Sequence, residues 1–191
     1  MTWTVVDWHW GGTPWDFLGQ PLAVDVAASV KRRGDAHVEL WRDGGDVAQW
    51  CALMDGRVPA LTAEQADARL GELRAVRDDV FAVLGAVVAG TAFPGHAARR
   101  LDARARSNPV IAQLGGEPVV AGTSDAVDEL LARTAASAIE LARDPGELTF
   151  CDAPSCGQFY LRERRGQVWC STACGTRARV ARHARRTRTP T

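Results

Sequence analysis

The chain has 191 residues, 46 % of them apolar, enough for one ordinary domain plus a small appendage. No stretch approaches the run of about eighteen uncharged apolar residues that a membrane helix requires. The opening Met1-Thr2-Trp3-Thr4-Val5-Val6-Asp7 has neither the basic start nor the apolar run of a secretory signal. The expectation is therefore a cytoplasmic protein with no membrane partner. Net charge is formally zero, with 23 basic and 23 acidic residues, but the average hides a split. Between 151 and 191 stand nine arginines (Arg162, Arg164, Arg165, Arg177, Arg179, Arg182, Arg185, Arg186 and Arg188) against Asp152 and Glu163 alone. The tail thus carries +7 and the preceding 150 residues −7, an acidic body bearing a basic arm for an anionic partner. Lys31 is the only lysine, so the choice of arginine carries no information and only the clustering does.

In chain order, residues 1–20 hold four of the seven tryptophans, Trp3, Trp8, Trp10 and Trp15. Such density would expose a large apolar patch if solvated, so it is expected to pack across the body or to line a small-molecule pocket there. Pro21 to Val30 reads equally as strand or helix. Residues 46–55 read as a short helix capped by Asp46. Thr62 and Gln65 form a capping box, and Leu70, Leu73, Val80, Phe81, Leu84, Val87 and Val88 keep helical spacing to about Ala89. Another helix is expected over 94–106, stopped by Asn108-Pro109. Val110-Ile111-Ala112 and Val119-Val120-Ala121 flank Gly115-Gly116 as a small hairpin. A last body helix runs from near Ser124 to Arg143 and is halted by Asp144-Pro145-Gly146, the expected boundary between a body (1–145) and a tail (146–191). The fold class expected is mainly α with a few short β-strands (α+β).

Cys151, Cys156, Cys170 and Cys174 fall in a C-x4-C-x13-C-x3-C pattern. Thiolates are soft ligands that suit tetrahedral zinc, and a structural site takes four of them with no open position. Pro154 and Gly157 suit a tight turn at the first pair, and Ser171 can cap a helix that starts near Thr172. Disulfides are rare in a cytosolic chain; an iron–sulfur cluster is the alternative use of the same thiols. A segment of this size has too few apolar residues for a core of its own. Zinc binding, on the order of 10–16 kcal/mol in small finger peptides, would supply the stability, with Phe159, Tyr160 and Trp169 as its apolar shell. Cys51, in an apolar stretch beside Trp50, reads as core.

The segment from Cys151 to Arg186 resembles the CGNR zinc finger, in Cys174-Gly175-Thr176-Arg177, in Phe159-Tyr160 after the second cysteine, in Trp169-Cys170-Ser171 and in the Arg/Ala helix that follows. Upstream, Phe17-Leu18-Gly19 and Leu22-Ala23-Val24-Asp25 are similar to the opening of the ABATE-type domain that accompanies that finger. The resemblance implies a transcription regulator with a helical body and a DNA-binding finger. Thr176 stands in place of the family asparagine, and Ala27-Ala28-Ser29 where the family shows Asn-Thr.

From Thr172 to Thr187 the pattern is helical, with Ala173, Val180 and Ala184 expected against the zinc core. Arg179, Arg182 and Arg186 share another face, with Arg177 beside the metal turn and Arg185 on the flank. Arg162, Arg164 and Arg165 add a second basic group. These eight arginines are the candidate contacts to DNA. A zinc-stabilised module that binds protein or RNA is the competing reading, and a homodimer and a small-molecule effector are open roles for the body. An enzyme is not expected. His9, His37, His96 and His183 are scattered, no phosphate-cradling loop or serine elbow occurs, and Asp78-Asp79 read as solvent-facing.

Overall fold

The computed structural model describes residues 19–33, 36–54, 56–115 and 118–188. The tryptophans Trp3, Trp8, Trp10 and Trp15 lie outside these. Seven helices and six short strands make up the described residues, matching the mainly α class expected. α1 (Leu22–Ala27) is buried on every side, which is why its sequence shows no amphipathic period. It packs on α6 (Ala126–Arg143), and the Ala23 N–H donates to Ser137 Oγ at 3.1 Å. β1 (Val30–Arg33) and β2 (Ala36–Glu39) form an antiparallel hairpin with Val30 opposite Glu39.

α2 (Gly44–Leu53) begins earlier than expected. Its cap is Asp43, which accepts from the Asp46 N–H at 2.9 Å. Asp46 instead takes the Arg42 N–H and guanidinium, both at 2.8 Å. Gly44 is required by packing, because a Cβ there would lie 2.1 Å from the Ala63 carbonyl oxygen. The capping box at Thr62 is present and starts α3 (Ala63–Ala68). The single helix expected to Ala89 is divided at Arg69, with α4 (Leu70–Ala89) following. The break lets α3 lie against α2 while α4 enters the core, and Arg69 is held at the corner by Glu72, Asp125 and Asp128. Gly90, at φ 62°, closes α4, with Thr91 N–H donating to the Ala86 carbonyl in the Schellman manner.

α5 (Gly95–Ser107) packs with α4 and α6, and these three helices with α1 surround the main core. Between α5 and α6 lies the expected hairpin, β3 (Val110–Ile111) against β4 (Val119–Val120). Asp79 corrects the solvent-facing reading of Asp78-Asp79: it is 2 % exposed and grips Arg100 of α5 in a two-point ion pair, Nε to Oδ2 at 2.7 Å. Arg77, wholly buried, is paired with Glu39 at 2.6 Å and sits 5.8 Å from the Trp41 ring. Breaking such a pair by removing one partner strands the other charge in the interior. Cys51 is buried in the core as expected, and burial pushes its thiol up to about 12.

The tail supplies β5 (Leu148–Phe150), β6 (Phe159–Leu161) and α7 (Thr172–Arg188). β5 and β6 pair antiparallel, with Phe150 opposite Phe159. Phe159 corrects the expected shell: it enters the body core, edge-on to Phe81 at 5.0 Å and to Phe150 at 5.2 Å. The Leu161 N–H also donates to Gln20 Oε1 at 2.7 Å. Residues of the tail and of the body therefore share one apolar cluster. Phe159→Ala should lower the stability of the whole protein by about 3–5 kcal/mol, read from urea unfolding; a midpoint equal to the wild type would contradict the shared core.

Candidate metal centre and basic cleft

The strand period of two divides β6 between two tasks. Phe159 faces the body, while its neighbour Tyr160 is buried in a second, smaller cluster with Cys151, Ala153, Cys156 and Cys174. The first cysteine pair brackets a tight turn. Cys156 N–H donates to the Ala153 carbonyl and Gly157 N–H to the Cys151 carbonyl, at 3.0 and 3.2 Å. Gly157 has φ 77°, and Ser155 is held at φ 61°, a conformation that non-glycine residues seldom adopt. At the second pair Ser171 caps α7 as expected, accepting from the Cys174 N–H at 3.2 Å, so Cys174 sits on the first turn.

The four Sγ atoms lie within 4.8 Å of one another, with Cys156–Cys170 at 3.6 Å and Cys170–Cys174 at 3.4 Å. Sulfurs about 2.3 Å from a tetrahedral zinc are about 3.8 Å apart along each edge, whereas disulfide sulfurs bond at about 2.05 Å. All four cysteines are free thiols. The spacing fits zinc and excludes disulfides. Outer contacts suit thiolate ligands: Cys170 N–H donates to Cys151 Sγ at 3.5 Å, and Arg177 Nη2 donates to Cys174 Sγ at 2.8 Å. A cation and an amide dipole beside the sulfurs offset the negative charge of four thiolates on a divalent ion. Hydrogen bonding with Cys156 draws the Cys151 thiol down to about 7, and bonding with Cys151 draws Cys174 down as well. The same sharing with Cys151 pushes Cys156 and Cys170 up. Four anionic sulfurs this close repel each other until a central cation removes the repulsion.

Trp169 is half-buried against this cluster. Gly175 makes room for it, since a Cβ at that position would stand 3.2 Å from Trp169 Cδ1. The packed face of α7 differs from the expected one. Cys174 and Ala178 are buried, whereas Ala173 is exposed and Val180 is 63 % exposed. The anchor at Cys174 fixes the helix rotation, and the next residue on the same face is four positions on.

The expected basic residues divide into several settings. Arg162 pairs with Glu147 at 3.4 Å. Arg177 is spent on the Cys174 sulfur. Arg179 lies along its own helix, donating through Nε to the Gly175 carbonyl at 3.3 Å and through Nη2 to Thr176 Oγ1 at 3.2 Å. Thr176 therefore orients an arginine. Arg164, Arg165, Arg182, Arg185 and Arg186 are exposed. Arg164, Arg179 and Arg182 converge on one cleft of about 670 Å³ between the 163–169 loop and α7. Sequence reading missed this cleft and the part that Gln20, Val168 and Gly175 play in its walls. A hydrophobic residue at 168 inside a polar loop was the available signal.

Fold and site define a helical protein whose tail is organised by a structural zinc finger. The chain belongs to the ABATE family, described as "Putative stress-induced transcription regulator", whose family model matches residues 20–145. Residues 148–187 match the CGNR zinc finger. No curated protein matches the chain. The cluster Cys151, Cys156, Cys170 and Cys174 holds one structural zinc ion. Both family descriptions are of a regulator and a zinc-binding module, not of enzymes. Among the described residues no helix is long and apolar enough to cross a membrane.

Stripping the metal with a strong chelator should melt α7 and, through β6, lower the urea midpoint of the body. Far-ultraviolet circular dichroism follows both. A body midpoint untouched by chelation would contradict the coupling.

Proposed function

We propose that this protein is a DNA-binding transcriptional regulator of the cytoplasm, in which residues 1–145 form a body that senses or dimerises and residues 146–191 form the DNA-binding finger. The observation that carries the reading is where the acidic body spends its charge. Its buried carboxylates are engaged by its own arginines, Asp25 by Arg57, Glu39 by Arg77 and Asp79 by Arg100, and so are the more exposed Glu72, by Arg69 and Arg104, and Glu129, by Arg133. By contrast, Arg164, Arg165, Arg182 and Arg186 have no carboxylate partner among the described residues. These four tail cations are therefore not spent on the body's carboxylates, which favours an external polyanion over self-neutralisation.

The shape supports the same reading. α7 is 17 residues long, about 25 Å at 1.5 Å per residue, and an α-helix fits the major groove, about 12 Å wide. One end is pinned by Cys174, so the helix is presented rigidly. Arg179, Arg182 and Arg186 recur along one exposed face at helical spacing. The family description supports a regulatory role, and the exposed arginines supply the contact chemistry.

Neutralising about five phosphates would give log K against log salt a slope of about −4 to −5. Arg179→Ala with Arg182→Ala should reduce that slope by about 2 and weaken binding about tenfold or more. Fluorescence anisotropy with labelled duplex, on the intact zinc-loaded protein, reads both. Salt-insensitive binding, or none, would sink the proposal. Displacement of duplex by an acidic protein, or preference for RNA, would favour the competing reading.

A further inference from the structure

A helix that docks in a groove needs only a convex face. This finger also has a concavity at the base of that helix, which shares Arg179 and Arg182 with the exposed face and adds the loop wall to them. The cleft of about 670 Å³ lies between the loop carrying Glu163, Arg164 and Val168 and the first turns of α7. Its volume falls within the range of small-ligand clefts, roughly 300–1,000 Å³. Three of its side chains are guanidinium groups on opposite walls: Arg164 from the loop, and Arg179 and Arg182 from the helix. Glu163 is the acidic group there, so the cleft carries a net charge of +2. Between the charged walls lie apolar surfaces that a phosphate alone would not use. Val168 is 60 % exposed, and Trp169 beside it is half-buried. Trp169 packs against Gly175 and the zinc cluster. Arg179 is pre-oriented by Gly175 and Thr176, so little freedom is lost when it meets an anion.

A flat apolar wall flanked by convergent guanidinium groups is how single-stranded nucleic acid is held, the base on the wall and the backbone on the cations. Inside a duplex the base faces are stacked and out of reach, so only an unpaired or extruded nucleotide can enter such a recess. We propose that the cleft between the 163–169 loop and α7 receives one unpaired nucleotide of DNA. Its phosphates are held by Arg164, Arg179 and Arg182, and its base lies against Val168 and Trp169. The proposal rests on the DNA-binding reading and adds to it a preference for a distorted or locally open site. The basic face continues past the cleft through Arg186, which suits a polymer strand rather than an isolated nucleotide. Glu163, at the rim, can accept from a base amino group and repels a second phosphate there.

The test uses the full-length, zinc-loaded protein and two labelled duplexes of one sequence, one intact and one carrying a single bulged thymidine, at equal salt. The bulged duplex should bind at least about tenfold more tightly. Arg164→Ala and Val168→Ser, both at exposed positions, should each reduce that ratio toward one, whereas Arg186→Ala should weaken both duplexes and leave the ratio intact. Equal binding of the two duplexes, or a ratio that survives Val168→Ser and Arg164→Ala, would overturn the cleft proposal while leaving DNA binding in place. Failure of both duplexes to bind would remove the DNA-binding reading together with it.

Discussion

Four sulfurs gathered within 4.8 Å set the geometry of the last forty residues. Among the described residues, the apolar side chains around them are the buried Tyr160, the half-buried Trp169 and the small Ala153. A cluster of that size cannot offset the conformational entropy of ordering the tail. The ion must supply the difference, and each thing it fixes has a consequence. Cys156 sets the start of β6, Cys174 sets the rotation of α7, and the thiolate at Cys174 claims Arg177. From the rotation of α7 follows which arginines face outward and which wall of the cleft they form.

The hairpin β5–β6 makes this local device matter to the whole chain. Alternation along β6 sends Phe159 into the body and Tyr160 to the metal cluster, so one three-residue strand belongs to both. Gln20 adds a second tie, since its carboxamide accepts from Leu161 while its backbone carbonyl accepts from Arg57. Arg57 in turn pairs with buried Asp25 of α1. A change in how α1 packs is thereby connected through Gln20 to the edge of the basic cleft. In such an arrangement the finger and the body are mechanically joined rather than strung on a linker.

Parts of this were open to sequence reading because their signals are local. The cysteine spacing, the Thr62 capping box, the Ser171 cap and the small hairpin around Gly115 all depend on residues a few positions apart. Other features depend on distant partners and left no local trace. α1 is buried on every side and so has no period to detect. The division at Arg69 arises from Asp125 and Asp128, more than fifty residues away in sequence. Asp79 looks like half of a solvated pair until Arg100 closes over it. The packed face of α7 was misjudged for the same reason: apolar Val180 seemed the natural anchor, but the metal at Cys174 dictates the rotation and leaves Val180 in solvent. The cleft, too, exists only once the loop and the helix are brought together by the ion.

X-ray absorption at the zinc edge, on reduced full-length protein, addresses the central claim most directly. The account predicts one zinc per chain in a shell of four sulfurs at about 2.3 Å. A shell with nitrogen or oxygen ligands, or protein that keeps α7 ordered with no bound zinc, would contradict it.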